Sequence, residues 1–168
     1  MHITMFFQRL YYANLQILLL KGMINMQNQE TKLLSSLYKN ASMGTSSINT
    51  ILSKVKNPKL KGELIAQLKN YSTEATSLKK MITEKNGEPR DINLLTKTYA
   101  DAGIMVSTMM NSTPSHIAEM MIQGTNMGVI EITKALNADK EVDPQLKQHA
   151  EDMLQKEQLY INKLKTYL

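Results

Sequence analysis

Apolar residues recur every three or four positions along most of the chain, the spacing of one face of an α-helix. The first such stretch runs from about Glu30 to Lys56, with Leu34, Leu37, Ala41, Gly44, Ile48, Ile51 and Val55 on one seam. Asn57-Pro58 comes next, a capping side chain and then a proline at the first helical position. The second helix continues to about Lys85 through Leu64, Leu68, Tyr71, Ala75, Leu78 and Ile82. Asn86-Gly87 and then Glu88-Pro89 stop it. Asp91 caps a third helix with Ile92, Leu95, Tyr99, Ala102, Val106 and Met109 on its seam. Thr113-Pro114 opens a fourth, to about Ala138, with Ile117, Met121, Gly124, Gly128, Glu131 and Ala135. Asp143-Pro144 opens the last, with Leu146, Ala150, Met153, Glu157, Tyr160 and Leu164. The prediction is an all-α antiparallel bundle of five long helices packed at shallow angles.

Composition narrows the chemistry more than the fold. With 168 residues, 42% of them hydrophobic, the chain is long enough to bury a core. Only 5% are aromatic, which argues against a β-sandwich or barrel. The absence of Cys removes disulfides, thiolate metal sites and cysteine nucleophiles together. The net charge of +5 comes almost wholly from lysine, because Arg9 and Arg90 are the only arginines. Nucleic-acid readers rely on arginine forks and stacking aromatics, so no nucleic-acid partner is expected. Lys54, Lys56, Lys59 and Lys61 form a basic knob at the first hairpin, an ordinary feature of a solvated corner.

Residues 1–25 differ from the rest of the chain. They hold both Phe residues and the run Ile17-Leu18-Leu19-Leu20, yet Arg9, Asn14 and Gln16 break any span long enough for a bilayer. No basic segment precedes the apolar part, as a signal peptide would require. Lys21-Gly22 can be encoded by a purine run resembling a ribosome-binding site, so Met26 is the expected natural start. The expected organisation is therefore a leader, 1–25, that is untranslated or a loosely attached apolar helix, and one bundle domain over 26–168.

Short turns make consecutive helices antiparallel neighbours, and reflection about each turn predicts which residues share a level. About Asn57-Pro58, Gly44 falls opposite Tyr71. About the last turn, Gly128 falls opposite Met153, Gly124 opposite Glu157 and Glu131 opposite His149. A helical glycine costs ~1 kcal/mol against alanine, so Gly44, Gly124 and Gly128 are read as clearance for close packing. Glu131 and Glu157 sit on otherwise apolar seams, and a buried carboxylate needs a partner, a proton or a metal. The expectation is a buried polar cluster of Glu131, His149, Glu157 and Tyr160, with a Glu131–His149 hydrogen bond and Tyr160 one turn beyond Glu157. His116 and Glu119, one turn apart, read as a surface pair. Of the 13 Met residues, Met105, Met109, Met110, Met120, Met121 and Met127 gather in the third and fourth helices, where thioethers fill irregular cores or adaptable surfaces.

Two helical hairpins joined by a connecting segment, ending in His149-Ala150-Glu151-Asp152-Met153-Leu154 and Glu157-Gln158-Leu159-Tyr160, resemble the ferritin-like superfamily, most closely its small bacterial spore-coat-type bundles. The resemblance implies up-down helix pairs with the third helix in place of a long crossover. A di-iron member takes Glu from two helices and Glu-x-x-His from the other two. Here Glu157-Gln158-Leu159-Tyr160 has Tyr where His belongs, and Glu74-Ala75-Thr76-Ser77 has Ser. Glu131 and Glu157 would also lie ~10 Å apart along the axis at 1.5 Å per residue, too far to share a metal. No metal, cofactor or catalytic residue is assigned. The expected function is that of a non-catalytic structural or protein-interaction bundle from the cytoplasm, or a spore coat, of a bacterium, able to self-associate. The alternative is a divergent metal-binding or metal-storage protein.

Overall fold

The computed structural model describes the backbone of residues 2–85, 111–138 and 142–168, and within the first helix the side chains at 16–21, 23 and from 30 onward. The described residues are helical and form an all-α bundle. Helix α1 spans His2–Ile51 and ends in a short 3₁₀ turn, Leu52–Lys54. Helices α2, Pro58–Glu84, α3, Pro114–Asn137, and α4, Pro144–Lys165, come after it. The third helix predicted over 91–109 lies outside the described residues. The first helix is longer than its apolar seam implies: it begins at His2 instead of near Glu30, and closes at Ile51 instead of Lys56.

Each of the three later helices starts at a capping side chain followed by proline. Asn57 accepts from the Leu60 amide at 3.0 Å, and Asp143 accepts from Gln145 and Leu146 at 3.0 Å each. Thr113 accepts from His116 at a longer 3.4 Å. Proline forfeits nothing there, since the first amides of a helix have no partner within it.

Contacts between named residues set the directions. Gly44 lies against Tyr71, and Lys85 pairs with Glu30, so α1 and α2 are antiparallel. Lys163 meets Glu63 at 3.0 Å and Glu157 meets Tyr71, so α4 runs against α2. Helix α4 therefore runs along α1, and α3, a short turn before α4, runs against both, with Gly128 beside Asn40. Helix α1 packs on α2 and α3, and α4 packs on α3 and, over smaller areas, on α1 and α2. The core between them is built from Leu33, Leu34, Leu37, Ile48, Leu60, Leu64, Leu78, Ile117, Ile132 and Leu164, none more than 1% exposed. Burial of this kind contributes ~1.5–3 kcal/mol per large aliphatic side chain. Past the level of Lys85, α1 continues for ~40 Å at 1.5 Å per residue. There Ile17, Leu18, Leu19, Leu20 and Met23 are all more than half exposed.

Helix α3 corrects one seam. Its buried residues are Ile117, Ala118, Met121, Thr125 and Ile132, whereas Gly124 and Glu131 are exposed. After Met121 the buried line steps by four to Thr125, not by three to Gly124. Each residue is 100° from its neighbour, so that choice turns Glu131 outward and Ile132 inward.

Candidate functional site

A polar layer crosses the middle of the bundle, and α1, α2, α3 and α4 all supply it. From α4 comes Glu157, a carboxylate only 2% exposed. Its two oxygens are held separately: the Asn40 amide of α1 donates to Oε1 at 2.5 Å, and the Tyr71 hydroxyl of α2 donates to Oε2 at 2.5 Å. Thr125 of α3 is buried beside the same tyrosine and donates to its own helix at Met121. Beside the carboxylate, the Asn70 amide donates to the Tyr160 hydroxyl at 2.9 Å. The rings of Tyr71 and Tyr160 meet edge to face, with centroids 5.5 Å apart.

Two glycines make room for the layer. A Cβ on Gly44 would sit 2.7–2.8 Å from the Tyr71 ring, and one on Gly128 would sit 1.9 Å from Asn40 Oδ1. Both positions are closed to any larger residue unless a neighbour moves. The Tyr71 ring is wedged, whereas Asn40 can swing, at the cost of its bond to Glu157.

Burial governs the electrostatics. Loss of hydration pushes the Glu157 carboxyl above the usual range, and the hydrogen bonds from Tyr71 and Asn40 pull it partly back. Burial, followed by the charge of Glu157, holds the Tyr71 hydroxyl well above its ordinary value. Tyr160 is raised as well, again chiefly by burial. A tyrosine so held is a hydrogen-bond donor at every physiological pH, and it cannot serve as a base.

Toward the surface, Glu74 of α2 meets His149 of α4, with Oε1 2.8 Å from Nε2. The contact has ion-pair distance without the alignment of a hydrogen bond, since the ring nitrogen makes none. Lys156 stands 4.0 Å from the other Glu74 oxygen. A crevice of about 20 Å³ lies between this group and the layer, bounded by Asn70, Tyr71, Glu74, Met153, Glu157 and Tyr160, with room for about one water. One turn before Tyr71, Gln67 is 1% exposed and its amide has no hydrogen-bond partner.

Several predicted placements change. Glu131 is exposed and pairs at 3.8 Å with Lys134, one turn along its own helix, instead of with His149. His149 turns to α2 and Glu74. Gly124 has nothing within 4 Å of a built Cβ, so it clears no neighbour. Gly128 faces Asn40 of α1 in place of Met153. Tyr160 neighbours Glu157 but is bonded to Asn70. His116 and Glu119 form the surface pair expected, at 3.8 Å. Of the methionines gathered there, Met121 is buried, Met120 half-buried and Met127 67% exposed, and the three in 105–110 lie outside the described residues. Helical period alone does not single out Asn40, Asn70, Thr125, Glu74 or Gln67. Asn40 and Thr125 each adjoin a seam position, and Gln67 sits one turn from Leu64 and Tyr71; that flanking is the signal the sequence offers.

A broad groove of about 490 Å³ lies between α1 and α2, lined by small residues such as Ser42, Thr45, Ser46 and Thr76. Its hydroxyls at Thr45, Thr50 and Thr76 donate to carbonyls of their own helices. Among the described residues no three His, Asp or Glu side chains converge on a point that a metal ion could occupy. No helix among them is long and apolar enough to cross a membrane.

No curated protein and no solved structure matches the chain. Residues 29–138 match a protein family described as a domain of unknown function, DUF2383. The match opens one residue before Glu30, where α1 meets the end of α2, and closes after α3; α4, which supplies Glu157, lies beyond it. With well over half of its length matched, the chain belongs to the DUF2383 family.

Proposed function

We propose that this chain is a non-catalytic helical bundle that acts as a structural or protein-interaction module. The observation that carries the reading is the state of Glu157. A buried carboxylate is the usual starting point of acid–base or metal chemistry in a bundle, and here both oxygens are occupied by donors from two other helices. Catalysis needs a reactive group within reach of a position open to substrate. The crevice beside Glu157 has space for about one water, and both Glu157 oxygens at its wall are already held. The two hairpins and the long stretch between them support a ferritin-like arrangement, with hydrogen bonds in a core where a di-iron bundle would hold metal. Partners would then be proteins, including other copies of this chain. Exposed Met127 and Ile130 on α3 are suited to self-association. A bacterial cytoplasm, or a spore coat, is the compartment proposed.

One arrangement favours a second reading, a divergent metal-binding bundle. Glu74 and Glu157 line the same crevice from facing helices, and His149 adjoins Glu74. Elemental analysis of protein purified without chelator, together with sedimentation over a range of concentrations, separates the two. The module reading expects no bound metal after incubation with Fe(II), Mn(II) or Cu(I), and a mass that rises with concentration. About one metal per chain, lost in Glu157→Ala or Glu74→Ala, would establish the second reading and overturn the first.

A further inference from the structure

The pole at which α1 turns into α2 is cationic. Lys54, Lys56, Lys59 and Lys61 are all exposed and lie within eight residues that contain no acid. Glu63, the next acidic residue along the chain, is already tied to Lys163 at 3.0 Å. None of the four lysines has an ion-pair partner among the described residues. Side chains in a helix tilt toward its N-terminus, so Lys59 and Lys61, in the first turn of α2, lean off the end of the bundle. Helix α3 also starts at this pole, because it runs against α1. Neither α2 nor α3 has a carboxylate in its first turn, and the dipoles of the two helix starts and two helix ends at this pole offset one another, so the lysines set its charge. The antiparallel run of α4 brings Leu168, 65% exposed, to the same level.

We propose that this pole docks on the anionic surface of a phospholipid bilayer as a peripheral contact. The chemistry separates this surface from other polyanions. Lysine ammoniums are compact point charges suited to a diffuse field of headgroups, whereas an individual phosphate is better gripped by an arginine fork. From Leu52 to Glu63 there is no arginine, and no aromatic ring on which a base would stack. The four exposed lysines sit at one end of the bundle, so a plane laid across that end meets them together. The contact is independent of the protein-interaction reading and uses none of its residues.

The test is co-sedimentation of the full chain with phosphatidylcholine vesicles that contain either no anionic lipid or about 30% phosphatidylglycerol. The full chain is expected on the anionic vesicles only, and raising the salt to about 0.5 M, which shortens the screening length, releases it. A variant with Lys54, Lys56, Lys59 and Lys61 all changed to Gln should bind at least ~10-fold more weakly. The matching set of Lys→Arg changes keeps the charge and should bind as the original does. Circular dichroism confirms that both variants are helical; should the Gln set misfold, Lys59→Gln with Lys61→Gln gives the same comparison at smaller amplitude. Equal binding by the Gln variant, or binding to neutral vesicles through the apolar residues around Leu18, would overturn the assignment. So would preference for polyglutamate or duplex DNA over anionic vesicles.

Discussion

The contacts inside the α1–α2 hairpin differ in kind from those that join the two hairpins. Within α1–α2 the seam is aliphatic, closed by the Tyr71 ring against Gly44, with one ion pair, Lys85–Glu30, at its open end. Between the hairpins stand Asn40–Glu157, Tyr71–Glu157, Asn70–Tyr160, Glu74–His149 and Glu63–Lys163, every one with a partner on α4. A short turn brings α1 and α2 together at small entropic cost, and any matched apolar stripe then holds them. The second hairpin comes after a long intervening stretch, and aliphatic faces alone would accept it in several rotations and shifts. Hydrogen bonds that a buried group can make in only one register remove that freedom. A buried polar layer therefore selects an arrangement more than it stabilises one.

The contrast is broken most severely at Gly44. Gly44→Leu drives a side chain into the Tyr71 ring and should cost ~3 kcal/mol or more, read as a fall in the urea midpoint. Glu157→Ala strands the Tyr71 hydroxyl and the Asn40 amide together, for ~2–3 kcal/mol. It should also broaden side-chain signals by nuclear magnetic resonance while helicity is kept, because register is lost before collapse. Were its spectrum as sharp as the original's, the selective role of the layer would be wrong. Gln67 belongs to neither kind of contact. Gln67→Met replaces an unpartnered buried amide with a thioether of similar shape and should raise stability by ~1–2 kcal/mol.

The smallest effect concerns pH. Burial raises the Glu157 pKa in the folded chain above its ordinary value of 4.5. Between the unfolded and the folded values, the unfolded chain has released a proton that the folded chain keeps. Stability therefore falls as pH rises through that window and levels off above it. Glu157→Gln should flatten this part of the curve in thermal unfolding measured from pH 4 to 8, with a modest loss at the acidic end.

Legibility in the sequence divides along the same line. The seams of α1, α2 and α4, the three cap-then-proline starts and the Gly44–Tyr71 contact all depend on helical period and short turns, which the sequence encodes locally. Predictions across the hairpins have no such ruler. Reflection about the last turn matches His149 to Glu131, because that turn is the only local reference; its partner Glu74 sits on a helix reached through the long connection. In α3 both 3–4 step patterns fit the spacing. Taking Ile132 as core in preference to Glu131 selects the right one, since an aliphatic side chain gains by burial and a carboxylate loses. Glu157 and Tyr160 stand out on their seam, but Asn40 is hidden beside Ala41, and nothing local marks an asparagine as the partner of a residue 117 positions away.

The layer also bears on the interval before the hairpins meet. Each half, still apart, shows water a mating face with asparagine, tyrosine, histidine or glutamate set among its leucines and isoleucines. Such a face is wettable, and wettable faces resist the indiscriminate sticking that exposes nascent helical pairs to aggregation. Severed between α2 and α3, residues 26–85 and 111–168 should therefore stay dissolved as separate peptides and regain helical circular dichroism when mixed.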